Sequence, residues 1–98
     1  MTITKKKDGT TLCAAVSGRL DTSTTPEFEA DIKPELEGLT ELVLDFSALD
    51  YISSAGLRAL LSFQKQMNKQ GSMKITGAND IIKEIFEVTG FSDILTIE

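Results

Sequence analysis

The sequence predicts an α/β fold in a single domain spanning residues 1–98: a mixed sheet of four to five strands with helices packed against it, in the order β-β-α-β-α-β-α-β. Three observations lead there. Asp8-Gly9-Thr10 is a hairpin signal between two strand-like segments. Each later apolar run is followed by a stretch with helical spacing, the alternation in which helices link parallel strands. Finally, 98 residues with an apolar share of 41% supply one hydrophobic core and leave no room for a second.

The elements follow in chain order. The first two strands are expected over Thr2 to Lys6 and Thr11 to Ser17. The second reads as central, because Leu12, Cys13, Ala14, Ala15 and Val16 are apolar without alternation, as in a strand covered on both faces. Gly18 to Ser23 is a polar loop. Thr24-Thr25-Pro26-Glu27 then starts a helix, with a threonine cap, an early proline and an early acid. Its buried stripe is Phe28, Ile32, Leu36 and Leu39, and Pro34 predicts a kink or restart near Asp31 to Lys33 because proline removes a helical hydrogen bond. Glu41 to Phe46 is the third strand. A second helix runs from about Ser54 to Gln70 and is ended by Gly71. Met73 to Thr76 is a short fourth strand, and Asn79 or Asp80 caps a third helix carrying Ile81, Ile82, Ile85, Phe86 and Val88. Gly90 followed by Phe91 is a left-handed helix terminator with its apolar contact, and a last short strand is expected from Ile94 to Ile97.

The paired serines before the second helix carry the most chemical information. Leu57, Leu60, Leu61 and Met67 recur at helical spacing and the small polar residues stop just before them, so Ser53 is the expected N-cap. Ser54 falls on the first turn. At about 100° per residue Ser53 projects toward the core-facing side of Leu57, Leu60, Phe63 and Met67, while Ser54 lies on its edge and shares a face with Arg58, Leu61 and Lys65. Of the two hydroxyls, that of Ser54 is the one expected to face another protein. A phosphoryl group there would lie at the positive end of the helix dipole with Arg58 one turn away, so it would change the surface without unfolding the domain. Serine at a helix start is most often only a cap, and position alone does not decide between the two roles.

Composition excludes several function classes. The chain has no histidine, which removes Ser–His and Cys–His nucleophile pairs and the usual histidine-containing zinc sites. The single cysteine, Cys13, cannot form an internal disulfide, and its apolar run predicts a buried structural thiol. A net charge of −5 is opposite in sign to what phosphate-backbone binding needs, so nucleic acid is not an expected partner. The Lys5-Lys6-Lys7 cluster reads as a solvated strand edge that discourages pairing with other chains. No apolar run approaches the roughly 20 residues needed to span a bilayer, and the first residues do not lead into the apolar stretch of a signal peptide. The expected location is the cytoplasm, without membrane insertion.

The corner Tyr51-Ile-Ser-Ser-Ala-Gly-Leu57, preceded by Val43-Leu-Asp-Phe-Ser47, resembles the STAS domain family and specifically the bacterial anti-sigma factor antagonists. Gly18-Arg-Leu-Asp21 with Thr24-Thr-Pro-Glu-Phe28 is similar to that family's loop after the second strand, and Val88-Thr-Gly-Phe-Ser-Asp-Ile-Leu95 to its ending, so the resemblance spans nearly the whole chain in order. It implies a STAS-like domain in which Ser54 accepts a phosphoryl group from a serine kinase that is itself the anti-sigma factor. The unmodified protein then binds the kinase and frees a sigma factor; phosphorylation ends the binding, and a serine phosphatase restores it. By the same resemblance Asp21, Thr22, Ser23, Ser53, Ala55, Gly56 and Arg58 form the partner-binding surface. The chain departs from the commonest pattern at Ser53, where aspartate is frequent, at Ala55, where serine or threonine is frequent, and at Arg58, where a smaller residue is usual.

The resulting expectation is a regulatory binding module, neither an enzyme nor a cofactor protein. Two alternatives come from other classes: an adaptor subunit of a transport or signalling complex that is never phosphorylated, and a sensor binding a small anion or nucleotide at the same helix end. Ser54-Ala55-Gly56 is too short for a phosphate-cradling loop, which weighs against the sensor. A carboxylate hydrolase built on Asp21, Asp45 and Asp50 ranks last, because Asp45 ends a strand and Asp50 sits in a turn, both common structural places for aspartate. Asp45 and Ser47 are instead expected to organise the corner through hydrogen bonds to free backbone groups.

Overall fold

The first two strands, β1 (Thr2–Asp8) and β2 (Thr11–Leu20), form the predicted antiparallel hairpin in a computed structural model that describes residues 1–98. The chain continues through α1 (Thr25–Ile32), β3 (Glu41–Ile52), α2 (Ser54–Gln70), β4 (Ser72–Thr76) and α3 (Asp80–Val88). The four strands lie in the order β1-β2-β3-β4, with β2–β3 and β3–β4 parallel, so the sheet is mixed. Helix-linked parallel strands after an antiparallel hairpin are what the element order predicts.

Side chains alternate across a strand, and the buried residues Leu12, Ala14, Val16, Leu42, Leu44, Phe46, Met73 and Ile75 all belong to the face on which the helices pack. The helices fill that face with Phe28, Ile32, Leu57, Leu60, Phe63, Met67, Ile82 and Phe86. Phe28 of α1 meets Phe63 of α2 with ring centroids 5.4 Å apart and a 50° tilt, which fixes the two helices against each other. The stripe predicted for the first helix is buried throughout. As expected from Pro34, α1 stops at Ile32 and a 3₁₀ turn, Lys33–Glu35, carries Leu36 and Leu39 into the core.

Four expectations are corrected. The second strand is not covered on both faces: Cys13 is exposed, so its thiol is not buried. Small Cys13 and Ala15 had hidden the period of two, since they sit on the open face while Leu12, Ala14 and Val16 point into the core. That strand also runs past Ser17 through Gly18, Arg19 and Leu20, where a loop was expected. The third strand continues past Phe46 to Ile52, with two register shifts: Ala15 pairs with Asp45 but Ser17 with Ala48, and Gly18 pairs with Leu49 but Arg19 with Tyr51. Each shift puts one extra residue into β3, and such bulges interrupt the alternation on which strand recognition depends. Finally, the expected strand at Ile94 to Ile97 is reduced to one bridge, Ile75 to Ile97, after a 3₁₀ turn at Phe91–Asp93. Gly90 precedes that turn with φ of 79°, the left-handed geometry expected of a terminator. Of the two candidate caps Asn79 is the one used, accepting from the Ile82 N–H at 2.9 Å.

Candidate functional site

The serine corner is held by the end of β2. The Ser53 N–H donates to the Leu20 carbonyl at 2.9 Å, and the extended backbone of Ser53 (φ −96°, ψ 176°) turns its hydroxyl toward the helix, where it accepts from the Gly56 N–H at 3.5 Å. Ser53 is therefore the N-cap, as predicted. Gly56 is buried where the start of α2 meets the ends of β2 and β3: a Cβ there would lie 2.8 Å from Ile52 Cγ1, 3.0 Å from Leu20 Cγ and 3.1 Å from the Leu20 carbonyl oxygen. Its place in the partner-binding set is thus indirect, since it seats the helix and offers no side chain to a visitor.

Ser54, the first residue of α2, is exposed, and its hydroxyl has no hydrogen-bond partner in the chain. Arg58 is exposed one turn further on, and Ala55 is half-buried between them. Thr22, Thr25, Pro26 and Glu29 face Ala55, Arg58, Ala59 and Ser62 across a shallow cleft of about 280 Å³ between the start of α1 and the first turns of α2. Predicted residues from two distant segments, Thr22 with Ala55 and Arg58, thereby share one surface.

The loop opposite is stiffened by Asp21. Its Oδ1 accepts from the Ser23 hydroxyl at 2.8 Å, the Ser23 N–H at 3.0 Å and the Thr24 N–H at 3.1 Å. These donors favour the ionised form, the Ser23 hydroxyl most, and hold the carboxyl at about 2, below its ordinary 3.8. The Asp21 main-chain carbonyl accepts from both the Thr25 N–H at 2.9 Å and the Thr25 hydroxyl at 2.6 Å. Thr24 occupies the predicted cap position of α1, but its hydroxyl turns backward, accepting from the Asp21 N–H at 2.9 Å and donating to the Arg19 carbonyl at 2.8 Å. Sequence reasoning had assigned no role to Arg19 or Tyr51. Arg19 Nε lies 3.6 Å from Asp21 Oδ2, and its guanidinium stands 4.6 Å from the centre of the Tyr51 ring. The Asp-x-Ser-Thr spacing over residues 21–24 is the signal that could have revealed the loop's internal bonding.

The three aspartates weighed for hydrolysis have structural surroundings. Asp45 Oδ1 accepts from the Ser47 N–H at 2.9 Å, which is the corner bond expected of that pair, while Asp50 is exposed on β3 and Asp21 serves its own loop. No group of three or more Cys, Asp or Glu side chains is arranged to hold a metal ion, and no helix is long and apolar enough to cross a membrane.

A four-stranded mixed sheet with its helices on one face, and an exposed serine opening the second helix, define a class of small α/β domain. The family profile of the STAS domain matches residues 2–98, and the chain belongs to the STAS domain family. It is 33% identical to BtrV of Bordetella bronchiseptica, provisionally named an anti-sigma factor antagonist, over 99% of this chain and 85% of that protein. It is 30% identical to the anti-sigma-B factor antagonist of Staphylococcus aureus over 84% of this chain and 78% of that one. The fold superposes on the Bacillus cell fate determinant SpoIIAA in its phosphorylated form with a TM-score of 0.76 at 15% identity, covering 99% of this chain and 91% of that one.

Proposed function

We propose that this protein is an anti-sigma factor antagonist, a binding module switched by phosphorylation of Ser54 and without catalytic activity of its own. The observation that carries the reading is the exposed, unpartnered hydroxyl of Ser54 at the first position of α2 in a STAS domain. Its relatives named as antagonists, and the phosphorylated form of SpoIIAA, support it. In the unmodified state the corner of Ser54, Ala55 and Arg58, with the loop of Asp21, Thr22 and Ser23, docks onto an anti-sigma factor that is also a serine kinase. Ser53 supports this surface from beneath as the cap.

The kinase supplies the chemistry. Ser54 Oγ attacks the γ-phosphorus of ATP, the bond to the β-phosphate oxygen breaks, ADP leaves, and the hydroxyl proton passes to a base on the kinase. The product carries close to two negative charges where a neutral hydroxyl had met the partner, which repels the kinase's own acids and desolvates poorly in the interface. Hydrolysis by a serine phosphatase returns the first state. Both steps take place in the cytoplasm, with no DNA contact by this chain.

The test is incubation with an anti-sigma factor kinase from the same genome and ATP, followed by mass spectrometry. One phosphate on Ser54 and none on Ser54→Ala is expected. An unmodified Ser54 in a protein that binds the kinase stably would instead make the chain a permanent adaptor.

A further inference from the structure

The cations of the chain differ in whether they are already engaged. Arg19 is taken up by Tyr51 and Asp21, and Lys5 pairs with Asp31 at 3.2 Å. Arg58 is exposed, and enters no ion pair or hydrogen bond. It lines the cleft between α1 and α2, where the one carboxylate, Glu29, leaves it unpaired.

Residues four apart on a helix stand on the same face with their Cβ atoms about 5–6 Å apart, and the order of anion before cation is the favourable one. Ser54 and Arg58 have that spacing and order. No bulky group separates them, because Ala55 is small and Leu57 is buried in the core.

Resting on the proposed phosphorylation of Ser54, we infer that Arg58 captures the phosphate in cis, its guanidinium folding back over the first turn of α2 to take two phosphate oxygens. A planar guanidinium matches that pair of acceptors, and the geometry asks for no change in the backbone. Modification then has two effects at once: it adds an anion at Ser54 and withdraws the free cation from the mouth of the cleft. A docking partner loses both a neutral hydroxyl and a guanidinium to which its carboxylates had access.

The experiment needs no kinase. Phosphoserine is installed at position 54 during translation, and the ³¹P resonance is followed against pH in the otherwise wild-type protein and in Arg58→Gln, Arg58→Lys and Lys65→Gln. The second phosphate pKa is expected to be lower by roughly 0.3 pH unit with arginine than with glutamine at position 58. Arg58→Lys keeps part of that difference, Lys65→Gln keeps all of it, and high salt shrinks it. Superimposed curves for wild type and Arg58→Gln would overturn the inference while leaving the kinase switch standing. Failure of a kinase to modify Ser54 would leave this titration intact.

Discussion

The guanidinium of Arg19 lies 4.6 Å from the centre of the Tyr51 ring, two residues paired across the parallel β2–β3 register. The same guanidinium reaches Asp21, so one side chain ties the last pairs of the sheet to the loop that faces α2. Arg19→Ala should lower stability by about 0.5–1 kcal/mol, the range of an exposed cation–π contact. Urea unfolding checks this. The double variant with Tyr51→Leu should cost less than the sum of the two singles, since each removes the same contact.

Gly56→Ala should destabilise despite alanine's better helix propensity. The added methyl would stand 2.8 Å from Ile52 Cγ1 and 3.1 Å from the Leu20 carbonyl oxygen, so α2 must lift from the end of β2. Overpacking of this kind costs about 1–3 kcal/mol. A midpoint in urea equal to or above that of wild type would contradict the packing described for this corner.

The two serines separate by their bonds. Ser53→Ala removes the cap hydroxyl and should cost about 0.5–1 kcal/mol, the lower part of the capping range because the bond is long at 3.5 Å. Ser54→Ala removes an exposed hydroxyl with no partner and should lie within about 0.5 kcal/mol of wild type. Paired denaturation curves decide the matter, and a reversed order would mean that the cap has been assigned to the wrong residue.

Asp21 gives a pH dependence of definite sign. Its folded pKa of about 2 lies below the ordinary 3.8, so the folded state favours the ionised carboxylate. The contribution is complete above the unfolded value and is lost as pH falls from 3.8 through about 2. In Asp21→Asn the stability-against-pH curve should be flatter within that window. Carboxyl carbon NMR should show Asp21 titrating below the ordinary aspartate value of 3.8.

Much of this was legible in the sequence, and the failures share a cause. The stripe of Phe28, Ile32, Leu36 and Leu39, the interruption by Pro34, the cap at Ser53 and the stop at Gly71 were all readable because each is a local rule of helix geometry. Cys13 was misplaced because small apolar residues on an open sheet face look the same in sequence as residues in a covered strand. The end of β3 was missed because two bulges break the period of two between Asp45 and Tyr51. Arg19 and Tyr51 went unnoticed because no local pattern announces a pair brought together only by parallel register. The candidate site divides in the same way: Ser54 and Arg58 follow from spacing on one helix, whereas Thr25, Pro26 and Glu29, which face Arg58 across the cleft, depend on how α1 packs against α2.

The most direct measurement is titration calorimetry of an anti-sigma factor kinase from the same genome with two preparations of this protein, one unmodified and one carrying phosphoserine at position 54. The account predicts heat of binding with the unmodified protein and an affinity at least about tenfold weaker, equivalent to 1.4 kcal/mol, with the phosphorylated one. Equal affinities would contradict it.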